Sequence, residues 1–237
     1  MKSGEPKEWP KDRKLSVGVW RRTIFNNWDK FLQGLLVTAE ICIIGFAVAI
    51  VLGLTACLIK KYVRPLRFLA DFYIQFCRNT PIYVQLMWVN YVWPDIIGWP
   101  TSFFAAGWMA LALQSSGYLA ETFRAGIDGI ARGHVDAAHS LGMSFGMTMR
   151  RIVLPQALLN MSPSIMNQLL VLVKSSTLVS VIAVPDLMYQ ALRLTSIWFE
   201  PIEILSFTAF LYVLIIFALS HACKRYTDKL RYKYTGI

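Results

Sequence analysis

The sequence predicts an all-α, polytopic membrane bundle of about five transmembrane helices, with a helical loop on the cytosolic face. Three observations carry that prediction. The 237-residue chain is 56% hydrophobic and has a mean hydropathy of +0.47. Charged residues make up 16% of it, well below the roughly 25% of a soluble domain. Uncharged runs recur at residues 41–59, 79–94, 96–120, 152–173 and 204–223, several of them near the ~20 residues that a helix needs to cross a bilayer.

The elements follow in order. Residues 1–30 form a basic tail, in which 17–31 mix Trp20, Phe25, Trp28 and Phe31 with basic residues. That mixture suits a helix lying at the membrane surface, with an added re-entrant element as the alternative. The start does not read as a cleavable signal, because no apolar core follows its first basic residues. A single helical domain over 31–223 comes next, with spans at about 33–59, 66–93, 102–127, 163–185 and 201–223. Unpaired backbone is too costly in lipid for open strands, and the ~10-residue alternating segments of a barrel are missing. Inside the second span, Pro81 removes a backbone donor and disfavours helix at Thr80, so a break at mid-membrane is expected. Residues 224–237 form a second basic tail.

Lysines and arginines orient the chain. They collect at Lys60, Lys61, Arg64 and Arg67, at Arg124, Arg132, Arg150 and Arg151, and at Lys224, Arg225, Lys229, Arg231 and Lys233. The loop 94–101 has none, and 186–200 has only Arg193. These groups place the amino terminus outside and the carboxyl terminus in the cytosol. The basic tail 1–30 argues the other way, but the three interior groups decide the placement, since only an even number of spans would satisfy both signals. The net charge of +10 is accounted for by lipid headgroups rather than nucleic acid. Cys42, Cys57, Cys77 and Cys223 lie in or at the ends of apolar runs without metal-ligand spacing, and read as packing residues. Trp88, Trp93, Trp99 and Trp108 gather at the outer ends of the second and third spans, as interfacial anchors do.

The stretch 132–155 is too polar for a span. Gly133 can separate two helices, with His134 to Asp136 as a first turn in which the Asp136 carboxylate meets free N–H groups. Ala137 and Ala138 offer a small face, and Gly142 permits the left-handed conformation that closes a short helix. Ser144 can cap a second helix up to Leu154, where Pro155 interrupts it. A loop lying on lipid is one reading of this pattern.

The other reading comes from resemblance. Asp136-Ala137-Ala138, three residues, Gly142, nine residues, Ile152, one residue, then Leu154-Pro155 resembles the signature loop of permease subunits in ATP-binding-cassette importers. That family has Glu-Ala-Ala, glycine, isoleucine and leucine-proline at this spacing; here aspartate replaces glutamate and shortens the reach. "CRNTPIYVQL", "SGYLAETFRAGI" and "VKSSTLVSVIAVPDL" are similar to segments of the branch that carries polar amino acids of the histidine, glutamine and glutamate type. Asn79 stands where that branch has glycine, and Ser175 where it has aspartate. The similarity runs from about residue 30 to 223.

The resemblance implies a transport subunit in a bacterial cytoplasmic (inner) membrane rather than an enzyme. Residues 132–155 become a coupling-helix loop, with Asp136, Ala137, Ala138, Gly142, Leu154 and Pro155 meeting an ATPase. The implied partners are two ATP-binding subunits, a second permease chain, identical or related, and an extracytoplasmic solute-binding protein, besides membrane lipid. No Gly-Lys-Ser or Gly-Lys-Thr phosphate loop is present, so this chain is expected to bind no cofactor itself and to leave ATP and magnesium to its partners. No nucleophile–base pair or metal cluster stands out.

For the solute route, Arg78 and Lys174 fall at similar mid-membrane depth, where charge is costly and usually faces a partner or a wet cavity. They are candidates to line the pathway with Asn79, Thr80, Gln85, Asn90, Ser175, Ser176 and Thr177. The opposing reading is that they neutralise Glu40 or Asp71 or tie helices together. Two mid-depth cations lean slightly toward an acidic amino acid such as glutamate or aspartate. Glu121 and Arg124 are spaced to pair on one helix face, as a structural ion pair in preference to a gate. A channel or membrane scaffold without ATP coupling is the alternative function.

Overall fold

The computed structural model describes residues 24–235, so the bulk of the basic tail, and with it Trp20, lies outside the described residues. Helix α1 runs over Trp28–Tyr62, α2 over Arg67–Asn79 and α3 over Ile82–Met87. A π-turn at Trp88–Val92 leads into α4, Trp93–Ile97. Helix α5 spans Phe103–Asp128, α6 Arg132–Ser140 and α7 Phe145–Thr148. A second π-turn, Met149–Val153, joins α7 to α8, Leu154–Ser175, which tightens into a 3-10 turn over Ser176–Ile182. Helices α9, Leu187–Trp198, and α10, Pro201–Thr235, complete the chain. No strand occurs among the described residues.

Three stretches, Phe25–Tyr62, Phe145–Ile182 and Pro201–Tyr232, are long and apolar enough to cross a membrane. Helix α5, 26 residues long, is richer in small and polar residues, and the fold shows why. It is the central post, packed against α1, α2, α3 and α8, with Gly107, Ala110, Ala112, Ser115, Ser116, Gly117 and Ala120 all buried. Between membrane helices, small residues drive association by letting backbones approach. A Cβ on Gly53 of α1 would stand 2.8 Å from the Ser116 carbonyl oxygen, and one on Gly117 would stand 2.9 Å from Cys77 Cβ. Those two glycines seat α1 and α2 against α5. All four cysteines are buried and free, in keeping with a packing role.

The interruption expected in the second span is present. Helix α2 stops at Asn79, Thr80 turns extended at φ −80° and ψ 126°, and helix resumes at Ile82. Three expectations need correction. Pro155 does not end a helix. The Leu154 N–H reaches back five residues to the Met149 carbonyl, and the wide turn accommodates a proline that has no N–H to offer. The fourth membrane helix therefore begins far upstream of Pro163, which lies inside it. The 186–200 segment is not a plain loop: Asp186 accepts from the Tyr189 N–H at 2.8 Å and caps α9. Finally, α10 continues past residue 223 without a break.

Candidate functional site

Helix α6 hangs below the bundle between α5 and α7. Ala131, at φ −60° and ψ 128°, precedes its first turn, and the His134 N–H bonds the Ala131 carbonyl at 3.1 Å. Asp136 is thus the fifth helical residue rather than the third, and its carboxylate caps nothing. The helix closes as the sequence predicts: Gly142 takes φ +73°, its N–H bonds the His139 carbonyl at 2.9 Å, and the Met143 N–H bonds the Ala138 carbonyl at 3.0 Å. Such paired bonds satisfy the last carbonyls of a helix. Ser144 accepts from the Met147 N–H at 3.4 Å and opens α7.

The two alanines part company here. Ala137 is exposed beside Asp136, whereas Ala138 is buried on the inner side of α6, the helix packing against α7 and the π-turn that follows it. The outward face is therefore narrower than a double-alanine surface and is flanked by exposed Leu141, Phe145 and Met147. Leu154 is exposed and Pro155 half-buried, both beyond the π-turn.

Above α6, six charges tie three helix ends together. Lys60 bridges Asp71 at 2.7 Å and Glu121 at 2.9 Å, and Lys61 meets Asp128 at 2.6 Å. Arg124 contacts Glu121 at 2.7 Å and Asp128 at 3.4 Å. The Glu121–Arg124 pair read from spacing is thus part of a network that joins α1, α2 and α5. Asp71 is paired with Lys60, not with Arg78 or Lys174.

A polar groove of about 680 Å³ opens between α2, α5 and α8. Arg78 enters it with its guanidinium 5.4 Å from the Tyr118 ring centre, and the Tyr118 hydroxyl donates to the Arg78 carbonyl at 3.3 Å. The Arg78 Nε is buried without a hydrogen-bond partner among the described residues. Asn160, Ser164, Asn167 and Gln168 of α8 form the facing wall, with Thr122 and Glu121 of α5 beside them. Gln168 donates to Ser115 at 3.3 Å. Reading the chain by hydropathy missed this wall. Its signal was nonetheless present, as polar residues at i, i+4, i+7 and i+8 on one helical stripe.

The other pathway candidates do not line this groove. Asn79 bonds Gln75 at 3.1 Å, and the Thr80 hydroxyl donates to the Phe76 carbonyl at 2.8 Å. Gln85 is fully buried, and neither amide atom has a partner among the described residues. Asn90 faces a separate cavity of about 670 Å³ near Pro94, Pro100 and Ser102. Lys174 is exposed and Ser175 half-buried, while Ser176 and Thr177 donate to the carbonyls of Val173 and Lys174.

Residues 45–230 match the family model of the binding-protein-dependent transport system inner membrane component. The chain belongs to that family. The arginine transport system permease protein ArtQ of Bacillus subtilis is 38% identical over 199 residues, covering 82% of this chain and 90% of its own. The Bacillus subtilis protein named "Probable glutamine ABC transporter permease protein GlnM" is 33% identical over 83% of this chain and 91% of its own. A crystal structure of an amino acid ABC transporter with histidines superimposes with a TM-score of 0.81 at 32% identity, over 88% of this chain and 97% of that one. The MetNI methionine ABC transporter in an inward-facing conformation shares the fold, with a TM-score of 0.73 at 16% identity. The resemblance read from residues 136–155 is borne out, and the chain is a membrane transport component rather than an enzyme.

Proposed function

We propose that this chain is the pathway-forming permease subunit of an ATP-binding-cassette importer for an amino acid. The observation that carries the reading is the placement of α6. Its exposed Asp136 and Ala137 sit on a short helix whose two ends lead into α5 and α7–α8, and α5 and α8 wall the polar groove. A partner seated on α6 therefore acts directly on the helices that shape that groove. In this reading residues 31–223 form the permease domain, 132–155 the coupling loop, and 1–30 and 224–237 its tails. Two such chains, identical or related, enclose the route. Two ATP-binding subunits carry ATP and magnesium, and an external binding protein delivers the solute. The α6 contact must differ between ATPase states, since only differential affinity shifts an equilibrium.

The orientation with the amino terminus outside is supported by the basic groups at 60–67, 124–132 and 150–151, of which Lys60, Lys61 and Arg124 are drawn together by ion pairs at the ends of α1, α2 and α5. Because the native cysteines are buried, single cysteines at Gly98 and Gly133, which open onto free space, report it. Labelling by an impermeant maleimide from outside at 98 and not at 133 is the expected result.

The substrate is an α-amino acid whose carboxylate pairs with Arg78 and whose side chain meets the amides of Asn160, Asn167 and Gln168. The lean toward an acidic amino acid falls away, because it needed two cations and Lys174 does not reach the groove. The relatives named for arginine and glutamine do not support it either.

The test is to purify the tagged chain from native membranes and ask whether a phosphate-loop ATPase accompanies it, with Ala137→Glu as the comparison. Recovery with the native chain and loss with the variant is expected. Purification of both forms without any ATPase would replace this reading by the channel or scaffold.

A further inference from the structure

Between α1 and α2, sharing no lining residue with the polar groove, an apolar channel of about 290 Å³ runs toward the 60–67 loop. Helix α1 contributes Leu52, Thr55, Ala56 and Ile59. From α2 and the turn before it come Leu66, Leu69, Ala70 and Tyr73. Both sets fall at i, i+3, i+4 and i+7, so each is one face of a helix, and the channel they make is ~10 Å long. Its few polar groups are already satisfied: the Thr55 hydroxyl donates to the Val51 carbonyl at 2.7 Å, and the Tyr73 hydroxyl lies 2.6 Å from Ser116 Oγ. Such a channel asks nothing of its occupant except apolar length.

Its mouth asks for negative charge. Lys60 and Lys61 follow Ile59, Arg64 and Arg67 flank Leu66, and Arg67 also lines a cavity of about 390 Å³ with Lys60, Lys61, Asp71, Arg124 and Asp128. The acids there are already committed, since Asp71, Glu121 and Asp128 neutralise Lys60, Lys61 and Arg124. Arg64 and Arg67 have no acidic partner within ion-pair distance among the described residues. Five cations against three acids leave two positive charges beside the open end of the apolar channel.

We propose that this cleft is a binding site for one anionic glycerophospholipid of the leaflet that meets the 60–67 loop, which is the cytosolic leaflet in the orientation above. An acyl segment lies between Thr55 and Leu69 and ends against Tyr73. The phosphodiester sits at Arg64 and Arg67, where guanidinium forks match phosphate oxygens. The bound lipid wedges the α1–α2 junction next to the Lys60 bridges, so it sets the spacing of the helix ends that the ion network joins.

The test is native mass spectrometry of the full chain with whatever partners it carries, in detergent supplemented with phosphatidylglycerol or phosphatidylcholine. Selective retention of phosphatidylglycerol is expected. Arg64→Gln with Arg67→Gln should lower it roughly thirtyfold, the combined effect of two interfacial cations. Lys224→Gln with Lys229→Gln, an equal charge change in the carboxyl-terminal segment, should leave it intact. Thr55→Phe, which fills the channel and alters no charge or topology signal, should also displace the lipid. Equal retention of the two lipids, equal loss in the Lys224/Lys229 variant, or retention unaffected by Thr55→Phe would overturn the proposal. Competition by inorganic phosphate at millimolar concentration would do so too, because it would make the site one for phosphate alone.

Discussion

Glycine is used for opposite ends in the bundle and in the loop beneath it. At Gly53 and Gly117 a single added carbon collides with the neighbouring helix, whereas Gly133, Gly142 and Gly146 meet nothing within 4 Å. The bundle spends its glycines on contact within the chain. The loop keeps surface open around its own, alongside Leu141, Phe145 and Met147, which stay exposed among the described residues. The difference teaches that the two regions pack differently: α5 lies close against its own helices, while α6 keeps an open outer face, the one the proposed function gives to an ATPase.

Changes in each region can break or sharpen that comparison. The largest effect is expected at Gly53→Leu, which drives a side chain into the α5 backbone. Overpacking costs ~1–3 kcal/mol even where neighbours can adjust, and a backbone carbonyl cannot, so thermal unfolding in detergent should show a loss at or above the top of that range. A melting point equal to the native one would mean that α1 and α5 are not in close register. Next comes Ala137→Glu, which should abolish ATPase recovery while shifting stability by no more than ~0.5 kcal/mol, as surface changes do. If recovery and stability fell together, the loop would be part of the packed body after all.

Gly142→Ala comes third. Its left-handed φ of +73° costs an L-residue roughly 1–2 kcal/mol, although the space around it is empty. Gly142→Asn, which tolerates that conformation, should recover much of the loss. Lys60→Met should follow at about 1 kcal/mol and make stability less dependent on salt, since the bridges it removes are only partly shielded from solvent. The smallest effect, and of opposite sign, belongs to Gly133→Ala. Gly133 lies within α6 in open space, so the substitution should stabilise by ~0.4–1 kcal/mol. A destabilising result would show that α6 is packed at that residue.

Much of this was legible in the residues themselves. The Thr80–Pro81 break, the Gly142 closure and the Ser144 cap each follow from local backbone chemistry, which the bundle does not override. The five spans followed from apolar runs, although α5 owes its place to small residues more than to hydropathy. Helix α9 was missed, yet Leu187, Gln190, Ala191 and Leu194, all buried, keep helical spacing behind an Asp cap. The short polar interval between two spans hid them. The Asn160–Gln168 wall was missed for a related reason, because counting hydropathy treats polar residues in a span as interruptions when they form one stripe. The division between Ala137 outside and Ala138 inside depends on how α6 meets the bundle, which no local pattern encodes.

The π-turn at Met149–Val153 has a consequence for aim. A wide turn holds one residue more than an α-turn, and one residue advances a helix by about 100°. The face that Asn160, Ser164, Asn167 and Gln168 present is thereby dialled relative to α7 and the loop before it. Removing a single residue from 149–153 would leave composition and hydropathy nearly untouched, yet it would swing that face about a quarter-turn off target. The bulge is thus a phase shifter, setting which side of α8 looks into the groove.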